Sequence, residues 1–350
     1  MKTIDADTHL IESERTWAFM DPAFARFKPQ LLLNPDPEAP ETQREYWQID
    51  GNIFGKRVFD FTRSGTTEET REAHSIGARL AHMDELGVDV QVLYATLFLS
   101  TVTSKPDVEF ALHSCYNRWV ADICRQSGGR LRWAALLPML SMDRAIEELR
   151  WAVEHGACAV HMRPFDANRS PSSPHFFPLY EEAARLNVPI CLHSGNGNTT
   201  LFTEFSAYPE LLFSLAKLSA IGAFHALLMS GTFARFPKLR WGVVEVSASW
   251  IPYVFHDVPA RLERLMGKKL DPGFNLLRDN NVFVACQTDD DLPYVLKYSG
   301  EDTLVIGSDY GHADTASELK ALRHLSQMNQ VSASAANKIL CDNARILYGL

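Results

Sequence analysis

Short apolar segments alternate with helical segments along most of this chain, and no other feature constrains the fold as strongly. Eight segments of strand length are predicted at Thr3–Leu10, Val90–Tyr94, Arg132–Pro138, Ala157–Arg163, Pro189–His193, Arg240–Glu245, Asn281–Cys286 and Thr303–Gly307. Near-continuous apolar strands separated by helices are typical of a parallel sheet that helices cover. Eight such units in 350 residues favour a closed (β/α)8 barrel of the TIM type.

The helical segments complete this pattern, because their apolar side chains recur at helical spacing. The predicted helices are His74–Leu86, Val108–Ser127, Met142–Glu154, Pro178–Leu186, Pro209–Phe233, Ile251–Met266, Asp314–Leu325 and Ser332–Tyr348. A doubly wound sheet would normally carry a glycine-rich phosphate loop after its first strand, and no glycine occurs between Asp5 and Glu12. We therefore predict one barrel domain over residues 1–350, with residues 11–73 inserted after the first strand.

The insertion is rich in proline, arginine and aromatic residues and is predicted to be largely irregular. Within it, two strand-like segments, Tyr46–Ile49 and Arg57–Phe61, flank the turn-forming residues Asp50–Asn52, which predicts a β-hairpin. A long connection without regular structure is usually functional. We therefore expect the insertion to act as a lid or as a surface that contacts a partner.

Charge and composition exclude several classes of function. The formal net charge of −9 and the lack of a stripe of lysine and arginine argue against nucleic-acid binding. No apolar run is long enough to span a bilayer, and the N-terminus lacks the pattern of a signal peptide, so we expect a cytoplasmic protein that does not bind membranes. The six cysteines include no C-x-x-C pair and are expected to be reduced.

The first strand carries the clearest candidate ligands. Side chains alternate along a strand, so Asp5, Asp7 and His9 are predicted to share one face. A carboxylate and an imidazole two residues apart can bind one cation from the same side, and such a pair suits zinc, iron or manganese. Taken alone, the pair is also compatible with an ordinary polar strand end.

Three later strands end in residues of the same types. His193 ends the fifth strand, Glu245 ends the sixth, and Asp309 follows the eighth. In a (β/α)8 barrel all strands end at one rim, which is where the active sites of these barrels lie. The sequence therefore predicts a metal centre at this rim.

Three further residues are candidates, and each has a second interpretation. Glu12 lies just beyond His9 and is either a ligand at the rim or a surface carboxylate. His225 lies in the helix before the sixth strand and is either a ligand or an ordinary helix-face histidine. His312 lies close after Asp309 and is a ligand, a catalytic residue or a hydrogen-bond donor to Asp309, since a ligating carboxylate normally has such a partner.

Five stretches from the first strand to the eighth carry a family resemblance. They are Ile4–His9, Met83–Asp89, Leu192–Gly195, Gly231–Arg240 and Gly307–His312. Together they resemble the amidohydrolase superfamily, and specifically the amidohydrolase-related group that includes aminocarboxymuconate semialdehyde decarboxylase. The resemblance covers nearly the whole chain except the insertion. It implies a metal-dependent barrel enzyme whose metal is held by Asp7, His9, His193 and Asp309.

The chain departs from this group in three respects. The usual H-x-H of the first strand is Asp7-x-His9 here, which adds negative charge and favours harder or redox-active metals. The sixth strand carries Glu245 where the decarboxylases of the group have a catalytic histidine. The fourth strand offers His161 and Arg163 but no lysine, so the carbamylated lysine that bridges two metals in many relatives is not expected.

The acidic residues raise the alternative of two metals. Asp7, Glu245 and Asp309 would place three carboxylates around one cation, and like charges at close range need compensation. A second metal could supply that compensation, and its candidate ligands are Glu245, Glu12, His225 and His312. Such an arrangement resembles the dinuclear non-haem iron oxygenases built on the same barrel.

Arginine and aromatic side chains are the candidates for substrate binding. Arg57 in the insertion and Arg163 at the end of the fourth strand could each hold a carboxylate with two parallel hydrogen bonds, or each could form a structural ion pair. Trp250 and other aromatic residues could line an apolar pocket, although most aromatic residues belong to the core.

The main functional hypothesis is a metal-dependent hydrolase or non-oxidative decarboxylase that acts on a small carboxylated aromatic or cyclic compound. A bound metal would lower the pKa of water, Asp309 would act as the general base, and Glu245 would assist proton transfer. The alternatives are a dinuclear iron monooxygenase and a non-catalytic, metal-stabilised subunit of a hetero-oligomer. The aromatic content of the insertion favours self-association, so we expect a homodimer or a related hetero-oligomer.

Overall fold

A computed structural model describes residues 3–36, 38, 44–56, 64–195, 197, 200 and 209–350, with only the backbone described over 209–215. The strands are β1 (Ile4–Leu10), β2 (Gln30–Leu33), β3 (Glu45–Ile49), β4 (Asn52–Gly55), β5 (Val90–Ala95), β6 (Leu131–Leu136), β7 (Ala157–Met162), β8 (Ile190–His193), β9 (Trp241–Val244), β10 (Val282–Cys286) and β11 (Leu304–Ile306). Eight of these strands, β1 and β5 to β11, form one parallel sheet in sequence order.

Helices lie between the strands of this sheet. They are α1 (Glu68–Arg71), α2 (Ile76–Leu86), α3 (Pro106–Gln126), α4 (Met142–Glu154), α5 (Phe177–Arg185), α6 (Pro209–Met229), α7 (Thr232–Arg235), α8 (Ile251–Met266), α9 (Leu292–Ser299), α10 (Ala321–Gln327), α11 (Ala333–Asn337) and α12 (Asn343–Tyr348). No helix among the described residues is both long enough and apolar enough to span a lipid bilayer.

The parallel sheet closes into a barrel where its first and last strands meet. A bridge between Thr8 and Tyr310 joins β1 to the residues that follow β11. The order of strands and helices confirms the predicted (β/α)8 barrel. Each strand therefore delivers its last residue to the same rim.

The helix predictions need three corrections. The helix predicted over residues 209–233 ends at Met229, because Gly231 adopts a left-handed conformation (φ 76°) before α7 begins. The helix predicted from Asp314 begins only at Ala321. Asp314 and Ser317 bond to nearby backbone N–H groups instead, which competes with helix formation. Finally, the short helix α9 was not predicted.

The insertion is more regular than predicted. Strands β2, β3 and β4 form a small antiparallel sheet, and β3 and β4 make the predicted hairpin across Asp50 and Gly51. The second strand of the hairpin begins at Asn52, earlier than the predicted Arg57. Residues 57–63, which include Arg57 and all of the predicted second strand, lie outside the described residues.

Candidate metal centre at the barrel rim

Closure of the barrel brings the first and eighth strand ends together. The backbone N–H of His9 donates to the carbonyl of Tyr310 (2.7 Å), and that of Asp309 donates to the carbonyl of Asp7 (3.0 Å). Gly307 allows this approach, because any Cβ atom at that position would collide with the Cβ of Asp7. The main-chain bonds that close the sheet thus also set the positions of three predicted ligands.

Six buried side chains form two overlapping groups at this rim. The groups are Asp7, His9, His193 and Glu245, and His9, Glu245, Asp309 and His312. In each group, one potential ligand atom of every residue lies within 4.8 Å of the others. The structure therefore brings together five of the seven predicted metal ligands and the predicted catalytic residue His312.

The ring of His9 is oriented as a metal ligand would be. Its Nδ1 contacts the carbonyl oxygen of Ala95 (3.2 Å). Because a carbonyl only accepts, Nδ1 carries the hydrogen and Nε2 presents its lone pair. Nε2 makes no hydrogen bond to any described residue, and it lies 3.5 Å from Asp7 Oδ1, 3.4 Å from Asp309 Oδ1 and 3.9 Å from Glu245 Oε2. Burial lowers the pKa of His9 to about 4.

His193 is held in the same way. Its Nδ1 contacts the carbonyl oxygen of Ser194 (2.9 Å), and its Nε2 lies 3.2 Å from Asp7 Oδ1. Burial alone would lower the pKa of His193, but the neighbouring carboxylate of Asp7 raises it overall. Conversely, burial would raise the pKa of Asp7, but His193 and His9 hold it below its ordinary value. Asp7 Oδ1 and His193 Nε2, which face each other, can therefore share a proton or bind a cation between them.

These side chains fit a divalent metal. Two ligands that each lie about 2.0–2.2 Å from one ion are about 3–4 Å apart, which matches the 3.2 Å, 3.4 Å and 3.5 Å separations here. A lone pair of His9 that faces carboxylate oxygens is repelled by them unless a cation lies between. The mixture of imidazole and carboxylate groups suits manganese, iron or zinc.

Asp309 lies in direct contact with His312. The hydroxyl of Thr96 donates to the carbonyl of Leu10 (2.9 Å), so it accepts from Nε2 of His312 (3.0 Å). The other ring nitrogen, Nδ1, lies 2.8 Å from Asp309 Oδ1, and two acceptors this close need a proton or a cation between them. Burial raises the pKa of Asp309 to about 6.

The backbone is strained at both acidic ligands that follow strands. Asp309 (φ 51°) and Glu245 (φ 61°) have left-handed conformations, which cost energy in residues other than glycine and cluster at functional sites. The hydroxyl of Ser317 donates to Asp309 Oδ2 (2.5 Å). The irregular segment found in place of the predicted helix start therefore orients a ligand.

Asp290 holds the loop that follows Glu245. Its carboxylate accepts five hydrogen bonds from that loop and from its own turn. The donors are the hydroxyl of Ser247, the N–H of Ala248 (2.9 Å), the N–H and hydroxyl of Ser249 (3.0 and 2.5 Å) and the N–H of Gln287 (2.8 Å). Five bonds to one buried carboxylate fix the loop that directly follows the strained Glu245.

The structure does not bring Asp5 to the ligand groups, although it was predicted to share a face with Asp7 and His9. A bulge in β1 between Asp5 and Thr8 adds one residue relative to β5 and interrupts the alternation of side chains. Asp5 instead accepts bonds from the N–H and the hydroxyl of Ser308 (2.8 and 2.6 Å). Burial raises the pKa of Asp5 to about 7.

Two predicted ligands lie apart from the groups. Glu12 is buried beside them, but its two oxygens accept the backbone N–H groups of Thr96 (3.1 Å) and Leu97 (2.9 Å). Burial raises the pKa of Glu12 to about 7. His225 is half-buried on α6, with the ring of Tyr253 6.3 Å away, and it belongs to neither group of described ligand atoms.

The predicted substrate-binding residues have other contacts. Arg163 is buried and donates to Asp166 (2.5 Å) and to the carbonyl of Ser100 (2.8 Å), which favours the structural ion pair considered from the sequence. Trp250 lies at the start of α8, where its indole N–H donates to the carbonyl of Ser247 (2.9 Å). Arg57 lies outside the described residues. Substrate binding by these three residues stays a prediction.

Sequence reasoning missed three residues that orient the candidate ligands: Thr96, Asp290 and Ser317. Thr96 is 216 positions from His312, and Asp290 is 43 positions from Ser247. No local pattern links such pairs, so only the folded chain reveals them.

Comparison with known proteins gives a consistent result. A sequence profile of the family described as amidohydrolase matches residues 4–350. A gamma-resorcylate decarboxylase of Rhodococcus jostii (strain RHA1) is 31% identical over 176 residues, which cover 46% of this chain and 53% of that protein. The chain spans about half the length of the curated relatives that it matches first.

Solved structures share the fold over nearly their full length. An amidohydrolase from Mycobacterium avium subsp. paratuberculosis K-10 is 19% identical, with a TM-score of 0.77 and 99% of each chain covered. A dihydroxybenzoic acid decarboxylase from Polaromonas sp. JS666, solved with bound manganese and the inhibitor 2-nitroresorcinol, is 19% identical, with a TM-score of 0.67 and coverage of 100% of this chain and 97% of that one.

Proposed function

This chain belongs to the amidohydrolase family, and on that premise we propose that it is a metal-dependent, non-oxidative decarboxylase of a small hydroxylated aromatic carboxylate. The observation that carries the proposal is the 2.8 Å approach of His312 Nδ1 to Asp309 Oδ1, beside the Nε2 atom of His9 that bonds to no described residue. A cation site next to a buried proton donor is what the removal of a carboxylate from an aromatic ring requires. The names of the decarboxylase relatives support the same reaction class.

The residues that would hold the metal are Asp7, His9, His193 and Asp309, with Glu245 as a further ligand. When bound, the metal supplies a Lewis acid that polarises an oxygen of the substrate. We propose manganese, because three carboxylates favour a hard cation and one relative of this fold was solved with bound manganese.

The chain's own residues handle the proton. Loss of the carboxylate breaks the bond between the ring carbon and the carboxyl carbon, the electron pair stays on the ring, and CO2 leaves. The ring carbon must then receive a proton, which the pair of Asp309 and His312 can deliver. Thr96 assists, because its hydroxyl accepts from His312 Nε2 and thereby directs Nδ1 towards Asp309.

The test is decarboxylation by the manganese-loaded protein. We expect it to release CO2 from 2,6-dihydroxybenzoate or a related hydroxybenzoate at the same rate with and without oxygen. Metal analysis of protein purified without chelator should find one ion per chain. Failure of the loaded protein to decarboxylate any hydroxybenzoate would contradict the proposal.

A second candidate function is a dinuclear iron oxygenase, because the two ligand groups share His9 and Glu245 as a bridged pair of sites would. Two irons per chain and product formed only under oxygen would support it. One metal and turnover without oxygen would exclude it. Metal binding without turnover under either condition would instead support the non-catalytic subunit.

We also propose that residues 1–350 form one barrel domain with residues 11–73 inserted, which the extent of the family match supports. Leu33 and Ile53 of the small sheet are 70% and 62% exposed, which supports self-association as a homodimer; light scattering on the purified protein tests this. All six cysteines are unpaired, which supports a cytoplasmic location.

A further inference from the structure

His161 is a buried side chain that has no role in the decarboxylation proposed above. It lies near the end of β7 and is 3% exposed. Neither of its ring nitrogens makes a hydrogen bond to any residue that the structure describes. Burial of polar atoms without partners is costly, and buried polar groups in folded proteins nearly always have partners. A ring in this state is expected to bond to a molecule other than the chain.

The ring lies beside the metal centre. His161 pairs in register with Cys191 on β8, so His193 is its diagonal neighbour on the adjacent strand. The ring centroids of His161 and His193 are 5.1 Å apart, and that of Tyr94 is 5.5 Å from His161. A compound bound at the metal centre would therefore come within reach of the His161 ring.

The surroundings of His161 favour an anion over a cation. None of the groups of potential metal ligands among the described residues includes His161. In either protonation state the imidazole has at least one N–H to donate.

We infer that His161 is a substrate-contacting residue that donates a hydrogen bond to an anionic oxygen, either carboxylate or phenolate, of an aromatic acid bound at the metal centre. The inference rests on the proposed function and names a specificity determinant for it. His161 lies on a strand of the barrel, so the hydrogen bonds between β7 and β8 hold its backbone in place before the substrate binds.

The experiment compares manganese-loaded wild type, His161→Leu and His161→Gln. KM and kcat are measured with 2,6-dihydroxybenzoate, and binding of benzoate and of resorcinol is measured by calorimetry. We expect His161→Leu to raise KM about tenfold to hundredfold, as the loss of a bond to a charged group does, and His161→Gln to recover part of that loss. Weaker binding of benzoate alone would identify the carboxylate as the bonded group, and weaker binding of resorcinol alone the ring oxygen.

Stability distinguishes this role from a structural one. Without ligand, His161→Leu should leave Tm unchanged or raise it by about 1–3 °C, because it removes two buried polar atoms that have no partner among the described residues. The matched control is His113→Leu: Nδ1 of His113 contacts the carbonyl of Leu137 (2.9 Å), so this variant should lose stability while its KM stays unchanged.

A fall in Tm of His161→Leu like that of His113→Leu, or an unchanged KM, would overturn the inference. If wild type binds and converts none of the compounds, the proposed function is wrong, and so is the assignment of an aromatic acid as the ligand of His161. A stable or raised Tm of His161→Leu would then still support contact with a ligand of another class, because the stability measurement does not depend on the reaction.

Discussion

Two buried polar clusters at neighbouring strand ends of this barrel differ in how their atoms are satisfied. Beyond β7, Arg163 donates to Asp166 from Nε (3.2 Å) and Nη2 (2.5 Å) and to the carbonyl of Ser100 (2.8 Å). Asp166 also accepts the N–H of Ala167 (3.0 Å). At the metal centre, Nε2 of His9 faces carboxylate oxygens at 3.4 and 3.9 Å without a hydrogen bond to a described residue.

This difference in hydrogen bonding distinguishes polar groups that are buried for stability from polar groups that are buried to bind a ligand. Taking charges out of water is costly, and complete hydrogen bonding within the chain offsets that cost at Arg163. In the metal centre, one atom of each ligand side chain bonds to a backbone carbonyl or a hydroxyl group: Nδ1 of His9, Nδ1 of His193 and Oδ2 of Asp309. The ligand atoms that face the centre contact mainly one another. A buried cluster satisfied on its outer side alone is preorganised for a ligand.

The largest expected effect is on activity at the metal centre. Asp309→Asn keeps the shape of the side chain but removes both a negative ligand and the carboxylate that faces Nδ1 of His312. We expect kcat of the decarboxylation to fall about 10³-fold, with reduced metal content, while urea unfolding of the metal-free protein is unchanged or shows higher stability. Activity within tenfold of wild type would show that Asp309 does not handle the proton.

The second largest effect is on stability in the other cluster. Asp166→Ala leaves the Arg163 guanidinium buried without its carboxylate, so the free energy of unfolding should fall by about 3–5 kcal/mol in urea titrations. Asp166→Asn is the control, since its amide oxygen keeps one of the two acceptors for the guanidinium and it should lose less. If the unfolding free energy of Asp166→Ala equals that of wild type, the ion pair of Arg163 is not a structural one and the two clusters do not differ in this respect. A raised KM at equal stability would indicate that Arg163 binds the substrate.

A smaller effect tests whether Asp290 acts on the metal centre through Glu245. Asp290→Asn replaces an acceptor of five hydrogen bonds, so the loop after Glu245 should relax from its left-handed conformation. We expect the affinity for Mn²⁺, measured by calorimetry, to fall about 10–100-fold, as losses of outer partners of ligands do. Ser249→Ala loses one hydroxyl donor and should weaken binding less; equal Mn²⁺ affinity in all three proteins would show that the loop is independent of the metal.

The smallest effect, taken per pH unit, is a pH dependence beside the satisfied cluster. Burial raises the pKa of Glu109 from 4.5 to about 8, Asp166 adds to the rise, and Arg163 opposes it. The folded state then binds a proton that the unfolded state releases, so this group lowers the free energy of unfolding as pH rises from about 4.5 to about 8, by up to about 1.4 kcal/mol per pH unit. Glu109→Gln should remove that slope in urea titrations across this range, and an unchanged slope would refute the assignment.

The fold and much of the site were predictable, for a local reason. Strand and helix periodicity is encoded in neighbouring residues, so the eight strands and most helix bounds agree with the sequence prediction. The rule that parallel strands end at one rim then placed Asp7, His9, His193, Glu245 and Asp309 together. The helix start after Asp314 failed because side-chain bonds of Ser317 and Asp314 compete with the helix there.

By itself, the sequence determined that this chain forms a (β/α)8 barrel with acidic and imidazole side chains at its carboxyl rim, because alternation and strand order are properties of the chain. Only the tertiary structure decided which of those side chains meet: the bulge that separates Asp5 from Asp7, the carboxylate of Asp290 bonded to the loop after Glu245, and the ring of His161, which bonds to no described residue. The physical reason is that each of these three features depends on contacts between segments far apart in the sequence. Those contacts, and the hydrogen bonds that result from them, form only when the barrel closes.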